Sequence, residues 1–323
     1  VQSKTHKNQE EMIMKSIKIA AVALFLLVSA YSAKAAEGTP ADKLSEILKR
    51  GKLIIATDAA NPPRSELIKG AKRNSETKCF SNEYVSAESK GFDPDVAIEV
   101  AKRLGLEACF VSPAWGEVIS GGWADRWDIA FQSVSITSER MESLYYAQPY
   151  NVEPTGFYVH KDNTKFRQPS DLSGKKIGAC AGCTFEYYLE GTLELPGQKI
   201  QFLVKNPKII AYTPESKALI DLALGDGVKI DAVLTSTIVG SDVISNGMPI
   251  RQLGEPVFYS YIAPVIDKKH SRNPVSFVKK INDIIKQLHD DGTLSKLAVK
   301  SYGSKTDLVT PAKKFDIKAL GQY

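Results

Sequence analysis

The segment PDVAIEVAKRLGLEACFV, residues 94–111, reads as a helix that turns straight into a buried strand. Pro94 suits a first helical turn, where its missing N–H goes unused. Val96, Val100, Ala101 and Leu104 recur at the spacing that gathers them on one helical face, and Gly105 ends the helix. Leu106–Val111 is then the strand. Upstream, Leu44, Ile47 and Leu48 form a helical stripe stopped by Gly51, and Leu53–Ala56 is a short apolar run typical of a strand covered on both faces. Downstream come a short helix at Val118–Ile119 and a strand at Ile129–Phe131. From Lys176 the rhythm restarts: strand Lys176–Ala179, a Cys-Ala-Gly-Cys-Thr turn, a helix from Phe185, strand Phe202–Val204, helix Ala218–Leu224 and strand Ile230–Leu234. Ile281, Ile284, Ile285 and Leu288 mark a late amphipathic helix, and Leu294, Leu297 and Ala298 another. Strand–helix alternation predicts parallel α/β sheets, and its restart predicts two α/β lobes.

The chain has 323 residues, 43% of them hydrophobic, enough for two domains of roughly 100–200 residues. A charged fraction of 24% argues against global disorder. Net charge is +5; without residues 1–35, which hold five Lys and two Glu, it is +2. With no long basic block, a nucleic-acid binder is disfavoured.

Lys15 and Lys18 precede an apolar run from Ile19 to Ala30, and Ala33-Lys34-Ala35 follows. A basic start, an apolar run and an A-x-A site describe a secretory signal peptide, with cleavage expected after Ala35. The run falls short of the roughly 20 residues that span a bilayer. Residues 1–11 read as an upstream extension, with the start at Met12 or Met14. No Cys stands at the cleavage site, so a soluble periplasmic protein is expected rather than a lipid-anchored one. Four cysteines remain in an oxidising compartment. Of three connectivities, Cys79–Cys109 with Cys180–Cys183 is favoured, because the first would staple the polar excursion 64–90; four free thiols is the alternative. One C-x-x-C pair and scarce His argue against zinc, and no metal or cofactor is expected.

Four segments carry a family resemblance. They are Gly51-Lys52-Leu53 through Ala56-Thr57-Asp58 to Pro62-Pro63; Gly91-Phe92-Asp93-Pro94-Asp95-Val96-Ala97; Trp127-Asp128-Ile129-Ala130 through Ser133–Arg140 to Gln148-Pro149-Tyr150; and Asp291-Gly292-Thr293-Leu294 with Tyr302-Gly303. Spread in order over residues 43–303, they resemble the periplasmic solute-binding proteins of polar amino-acid ABC transporters, family 3. The resemblance implies the type II periplasmic binding protein fold, two α/β lobes joined by two hinge strands near Thr155–Val159 and Ser260–Val265. Lobe 1 is then 36–155 plus 262–323, and lobe 2 is 156–261. It implies a monomer without enzymatic activity that closes on a polar amino acid or small carboxylate and delivers it to an inner-membrane ABC permease. The alternative on the same fold is an exported cyclohexadienyl-type dehydratase, which needs a positioned acid, Glu117 or Asp58.

The resemblance also assigns ligand-binding residues. Arg140 stands at the carboxylate clamp, where a planar guanidinium gives two parallel bonds. Ser133 and Ser135 are its neighbours, pointing the same way along a strand end. Thr184 is the second-lobe carboxylate contact, and Cys183 stands where many relatives have Ser or Thr. A structural Cys180–Cys183 bridge is favoured there over redox sensing. Trp115 covers the ligand side chain and Asp58 contacts it. Three positions depart from the pattern. Asn61 replaces an aromatic wall, Arg64 replaces Phe, and Ser236 stands where an acid pairs with the ligand ammonium, with Asp242 or Glu117 as substitutes. Asn61, Arg64 and Asp58 favour a polar ligand tail. Phe315, Ile317 and Leu320 would let the segment 304–323 dock on a lobe.

Overall fold

The computed structural model describes residues 42–303 and 307–322. The extension, signal peptide and cleavage site expected within residues 1–41 lie outside the described residues. No described helix is long and apolar enough to cross a membrane.

The described residues form, in chain order, the strands β1 (Lys52–Ala56), β2 (Ala60–Asn61), β3 (Ser65–Leu67), β4 (Tyr84–Val85), β5 (Ser89–Lys90), β6 (Glu107–Val111), β7 (Ile129–Ala130), β8 (Leu144–Tyr146), β9 (Asn151–His160), β10 (Lys176–Cys180), β11 (Lys208–Tyr212), β12 (Ala232–Ser236), β13 (Ile250–Ile262) and β14 (Val265–Asp267). One sheet has the order β4-β6-β1-β7-β14-β8 and a second β11-β10-β12-β9-β13; a small third sheet is β2-β3-β5. Both large sheets have the predicted parallel centres, β6-β1-β7 and β11-β10-β12. The first sheet draws on residues before 147 and after 264, the second on those between. The chain crosses to the second sheet through β9 and returns through β13, and these long strands pair antiparallel from Asn151↔Ile262 to His160↔Ile250.

Local chemistry explains the elements. Asp42 caps the helix Lys43–Arg50 by accepting the Ser45 N–H at 2.8 Å, and Gly51 closes it at φ +74°. The helix Phe92–Arg103 buries Val96, Ala97, Val100 and Ala101 against the first sheet, as its periodicity predicts. Its start requires Gly91: φ is +113°, and a Cβ there would lie 2.4 Å from the Arg64 carbonyl oxygen. That close approach holds the Arg64 backbone against the helix. The helices Val275–Asp290 and Thr293–Tyr302 cover the same core.

Two corrections follow. Phe202–Val204 is not a strand; the sheet partner of β10 is β11, six residues later. Phe202 and Leu203 stay partly exposed, and Phe202 packs on Tyr188 with ring centroids 5.4 Å apart. Their apolarity serves a ring contact rather than a ladder. Serine alternation at the end of β7 also fails, because Ser133 is left-handed at φ +49°.

Both favoured disulfides are present, Cys79–Cys109 and Cys180–Cys183. The first ties the 64–90 excursion to β6 across a separation of 30 residues, a loop worth about 3–4 kcal/mol in the chain-entropy model. Lys52 and Glu83 add a buried ion pair at 2.7 Å. The C-terminal segment docks as expected: Ile317 is buried, Leu320 packs beside it, and the Phe315 ring lies 4.4 Å from that of Tyr261. Gln148 donates to the Ala312 and Phe315 carbonyls, and Val152 N–H to Leu308 O at 2.8 Å.

Candidate functional site

A cavity of about 300 Å³ is lined by the turns that follow β1, β6 and β7 and by those that follow β10 and β11. Carboxyl ends of parallel strands are where open α/β sheets bind ligands. Eight of the nine candidate residues line it: Asp58, Asn61, Trp115, Ser133, Ser135, Arg140, Cys183 and Thr184.

One end is organised by Arg140. The side chain is only 4% exposed. Its Nη1 donates to Ser135 O at 3.2 Å and its Nη2 to Gly182 O at 2.9 Å, so the guanidinium bridges elements of both sheets. Nε has no partner. Among the described residues, no carboxylate pairs with it. The cation lies over the Trp115 ring, 5.0 Å from its centroid. Trp115 Nε1–H also donates to Gly182 O, at 3.2 Å. Desolvation lowers the Arg140 pKa, yet a guanidinium stays charged through the physiological range.

Gly182 belongs to the loop closed by Cys180–Cys183. Cys183 precedes the helix Thr184–Glu190, and Glu186 Oε2 accepts the Gly182 N–H at 2.6 Å. The loop is thus held from behind while its carbonyl receives Arg140 and Trp115. Thr184 is buried beside it.

Ser133 and Ser135 reach the cavity differently from one another. The Ser133 hydroxyl donates to Asp93 Oδ2 at 2.7 Å, and Tyr150 OH donates to Asp93 Oδ1 at 2.9 Å. Desolvation pushes the Asp93 carboxyl up against those two bonds. The Ser135 hydroxyl bonds with that of Ser260 at 3.0 Å, while its carbonyl accepts from Arg140 and from Tyr146 OH.

The other end carries acids. Asp58 follows β1, and its Oδ1 accepts the Ala60 N–H at 2.9 Å. Asn61 lies in β2, with its carbonyl accepting the Arg64 N–H at 2.9 Å. Arg64 and Glu153, both buried, form an ion pair on the cavity wall. Arg64 therefore is committed to the protein. Gln132, 6% exposed, also lines the cavity, and its Oε1 has no hydrogen-bond partner.

Ser236 does not reach the cavity. It is fully buried, pairs with Thr155 in the sheet and caps the helix Thr237–Ser245, its Oγ accepting the Ile238 N–H at 3.2 Å. Asp242 and Glu117 do not line the cavity either. Glu117 is held by Arg126 at 2.6 Å and caps its own helix.

Besides Asp58 and Glu153, the acid that lines it is Glu215, in the turn after β11. Thr235, the residue before Ser236, donates its hydroxyl to Glu215 Oε1. Desolvation pushes the Glu215 carboxyl up, and the Asp58 charge adds to this, while Thr235 and Arg64 act in the opposite direction. In sequence, Thr213-Pro214-Glu215-Ser216 reads as an ordinary turn before a helix. No signal in that segment reveals that β11 and β12 flank β10 in one sheet, which brings their carboxyl ends to the same cavity.

Comparison with known proteins agrees with this architecture. The family model "Bacterial extracellular solute-binding proteins, family 3" matches residues 75–304. A probable amino-acid-binding protein of Bacillus subtilis, YxeM, is 30% identical over 217 residues, 66% of this chain and 75% of that protein. The L-cystine-binding protein TcyJ of Escherichia coli K12 is 25% identical over 262 residues, 81% of this chain and 86% of that protein. Among solved structures, a mutant ArgBP from T. maritima aligns with TM-score 0.64 and 19% identity, over 81% of this chain and 99% of that one. The ancestral amino acid-binding protein AncCDT-1, a precursor of cyclohexadienyl dehydratase, aligns with TM-score 0.64 and 24% identity, over 80% of this chain and 99% of that one. The two structures share the two-lobe fold with this chain. By the extent of the family match, the chain belongs to the bacterial extracellular solute-binding proteins, family 3.

Proposed function

We propose that the protein is the periplasmic solute-binding component of an ABC uptake transporter and that it holds an amino acid by its carboxylate at Arg140. The observation that carries this reading is the buried Arg140 guanidinium, which no carboxylate of the described residues holds in an ion pair. Leaving a charge buried without a counter-charge costs several kcal/mol. A ligand carboxylate offsets that cost, and it does so only when the Gly182 loop and the Arg140 turn stand together, so ligand and lobe closure stabilise one another. A cavity of about 300 Å³ suits a small solute. Relatives named for amino-acid and cystine binding support the same ligand class. In this reading the protein acts as a monomer, is exported by the expected signal peptide and hands its ligand to an inner-membrane permease.

Thermal unfolding of the refolded protein against L-amino acids and their C-terminal amides tests it. A ligand at 100 times its Kd adds about 2.7 kcal/mol. Stabilisation by free acids but not by amides is expected; equal stabilisation by both removes Arg140 as the anchor. A second reading, a cyclohexadienyl-type dehydratase, draws on Glu215, whose raised carboxyl is the kind that protonates a leaving hydroxyl. Incubation with a cyclohexadienyl carboxylate is expected to give no aromatic absorbance; its appearance would replace transport with catalysis.

A further inference from the structure

The charged residues lining the cavity are Asp58, Arg64, Arg140, Glu153 and Glu215. Arg64 and Glu153 neutralise one another. That leaves one cation, Arg140, and two carboxylates. The two carboxylates come from different sheets, Asp58 from the end of β1 and Glu215 from the turn after β11. Beside Asp58 stands Gln132. Ala56 pairs with Ala130 across β1 and β7, and Asp58 and Gln132 each lie two residues beyond that pair. Gln132 is more than nine-tenths buried with an unpartnered carbonyl oxygen. Among the described residues, none of the three accepts from a charged donor: Asp58 receives a backbone N–H and Glu215 a hydroxyl.

We infer that Asp58, Glu215 and Gln132 form a cation-holding end of the cavity and that the ligand is an amino acid with a positively charged side chain. This rests on the reading of Arg140 as the carboxylate anchor. Such a ligand presents one carboxylate and two cationic groups. It matches one guanidinium and two carboxylates, so the closed cavity holds no unbalanced charge. A zwitterion with a neutral side chain leaves one acid uncompensated. Glu215 thereby supplies, from a neighbouring turn, the second-lobe acid that the strand end lacks at Ser236. Because the two acids approach from opposite lobes, closure without a cation sets like charges against each other. A bound cation converts that repulsion into a clamp.

The test is isothermal titration of the refolded protein with L-lysine, L-ornithine, L-glutamine and L-norleucine, repeated on Glu215→Gln and Asp58→Asn. Both variants keep an acceptor for Thr235 or the Ala60 N–H. L-Lysine or L-ornithine is expected to bind at least ~30-fold tighter than L-glutamine and L-norleucine, and Glu215→Gln to lose most of that margin. L-Glutamine or L-norleucine binding as tightly as L-lysine overturns the cationic end while leaving the Arg140 anchor in place. Binding of none of the four overturns both. An unchanged preference in both variants overturns the assignment of these acids.

Discussion

The two ends of the cavity are built in opposite ways. The Arg140 end comes from one continuous stretch, Ser133 to Arg140, closed from the far side by the Gly182 carbonyl. The acidic end is assembled from Asp58, Gln132, Glu153 and Glu215, which lie up to 157 residues apart in the chain, on four different turns and strands that only the fold brings together. The first end is one cation with no ion-pair partner among the described residues, and the second holds acids in excess. Arg140 and Asp58, each within a segment that carries the family resemblance, are visible to sequence reading; Glu215, placed by sheet order alone, is not.

The contrast is sharpest at Arg140. Arg140→Ala is expected to weaken every amino-acid ligand by ~100-fold or more, since a buried charge pair loses one partner. Arg140→Lys should recover only part of this, because an ammonium lacks the planar two-point geometry. Calorimetric titration checks both, with circular dichroism to confirm that the fold persists. A smaller loss than from Glu215→Gln would reverse the ranking of the two ends.

At the acidic end the effect should be selective. Asp58→Asn is expected to cost a cationic ligand ~10-fold and a neutral one little, because the residue is only half-buried and its charge partly screened. Competition between L-lysine and L-glutamine reads this directly.

Smaller again is the pH effect. The free protein holds Glu215 above the usual carboxylate range through desolvation, and a bound cation lowers it. Affinity for a cationic ligand should therefore rise as pH rises through the free-state pKa and then level off, with proton release on binding in that window. Titrations in buffers of different ionisation enthalpy measure the released proton. Glu215→Gln should abolish it, and a pH-independent affinity contradicts the assignment.

The smallest effect concerns the Cys180–Cys183 loop, which presents the Gly182 carbonyl to Arg140 and Trp115. Cys180→Ser with Cys183→Ser is expected to change affinity by less than ~10-fold, because the Glu186 bond still holds the loop. By contrast, Cys79→Ala with Cys109→Ala should leave affinity unchanged and lower stability by about 3–4 kcal/mol. Denaturant melts and titrations on the two double variants separate these roles.

Most of the sheet centres were legible because covered strands are apolar runs and their helices carry a one-sided stripe. Lys52–Ala56 and Phe92–Arg103 lie within two residues of their expected bounds. β11 was missed because it is an edge strand with three of its five residues exposed and none fully buried, while Phe202 and Leu203 nearby are apolar and lie outside the sheet. At the site, eight of the nine residues proposed from resemblance line the cavity. Ser236 fails because its hydroxyl is consumed as a helix cap, and Glu215 was invisible because nothing local marks a turn glutamate as facing a cavity.

The most direct test of the whole account is a crystal structure of the refolded protein grown with L-lysine. The ligand carboxylate is expected on the Arg140 guanidinium, with its cationic groups within hydrogen-bond distance of Glu215 and Asp58. A bound ligand whose carboxylate lies away from Arg140 would contradict it.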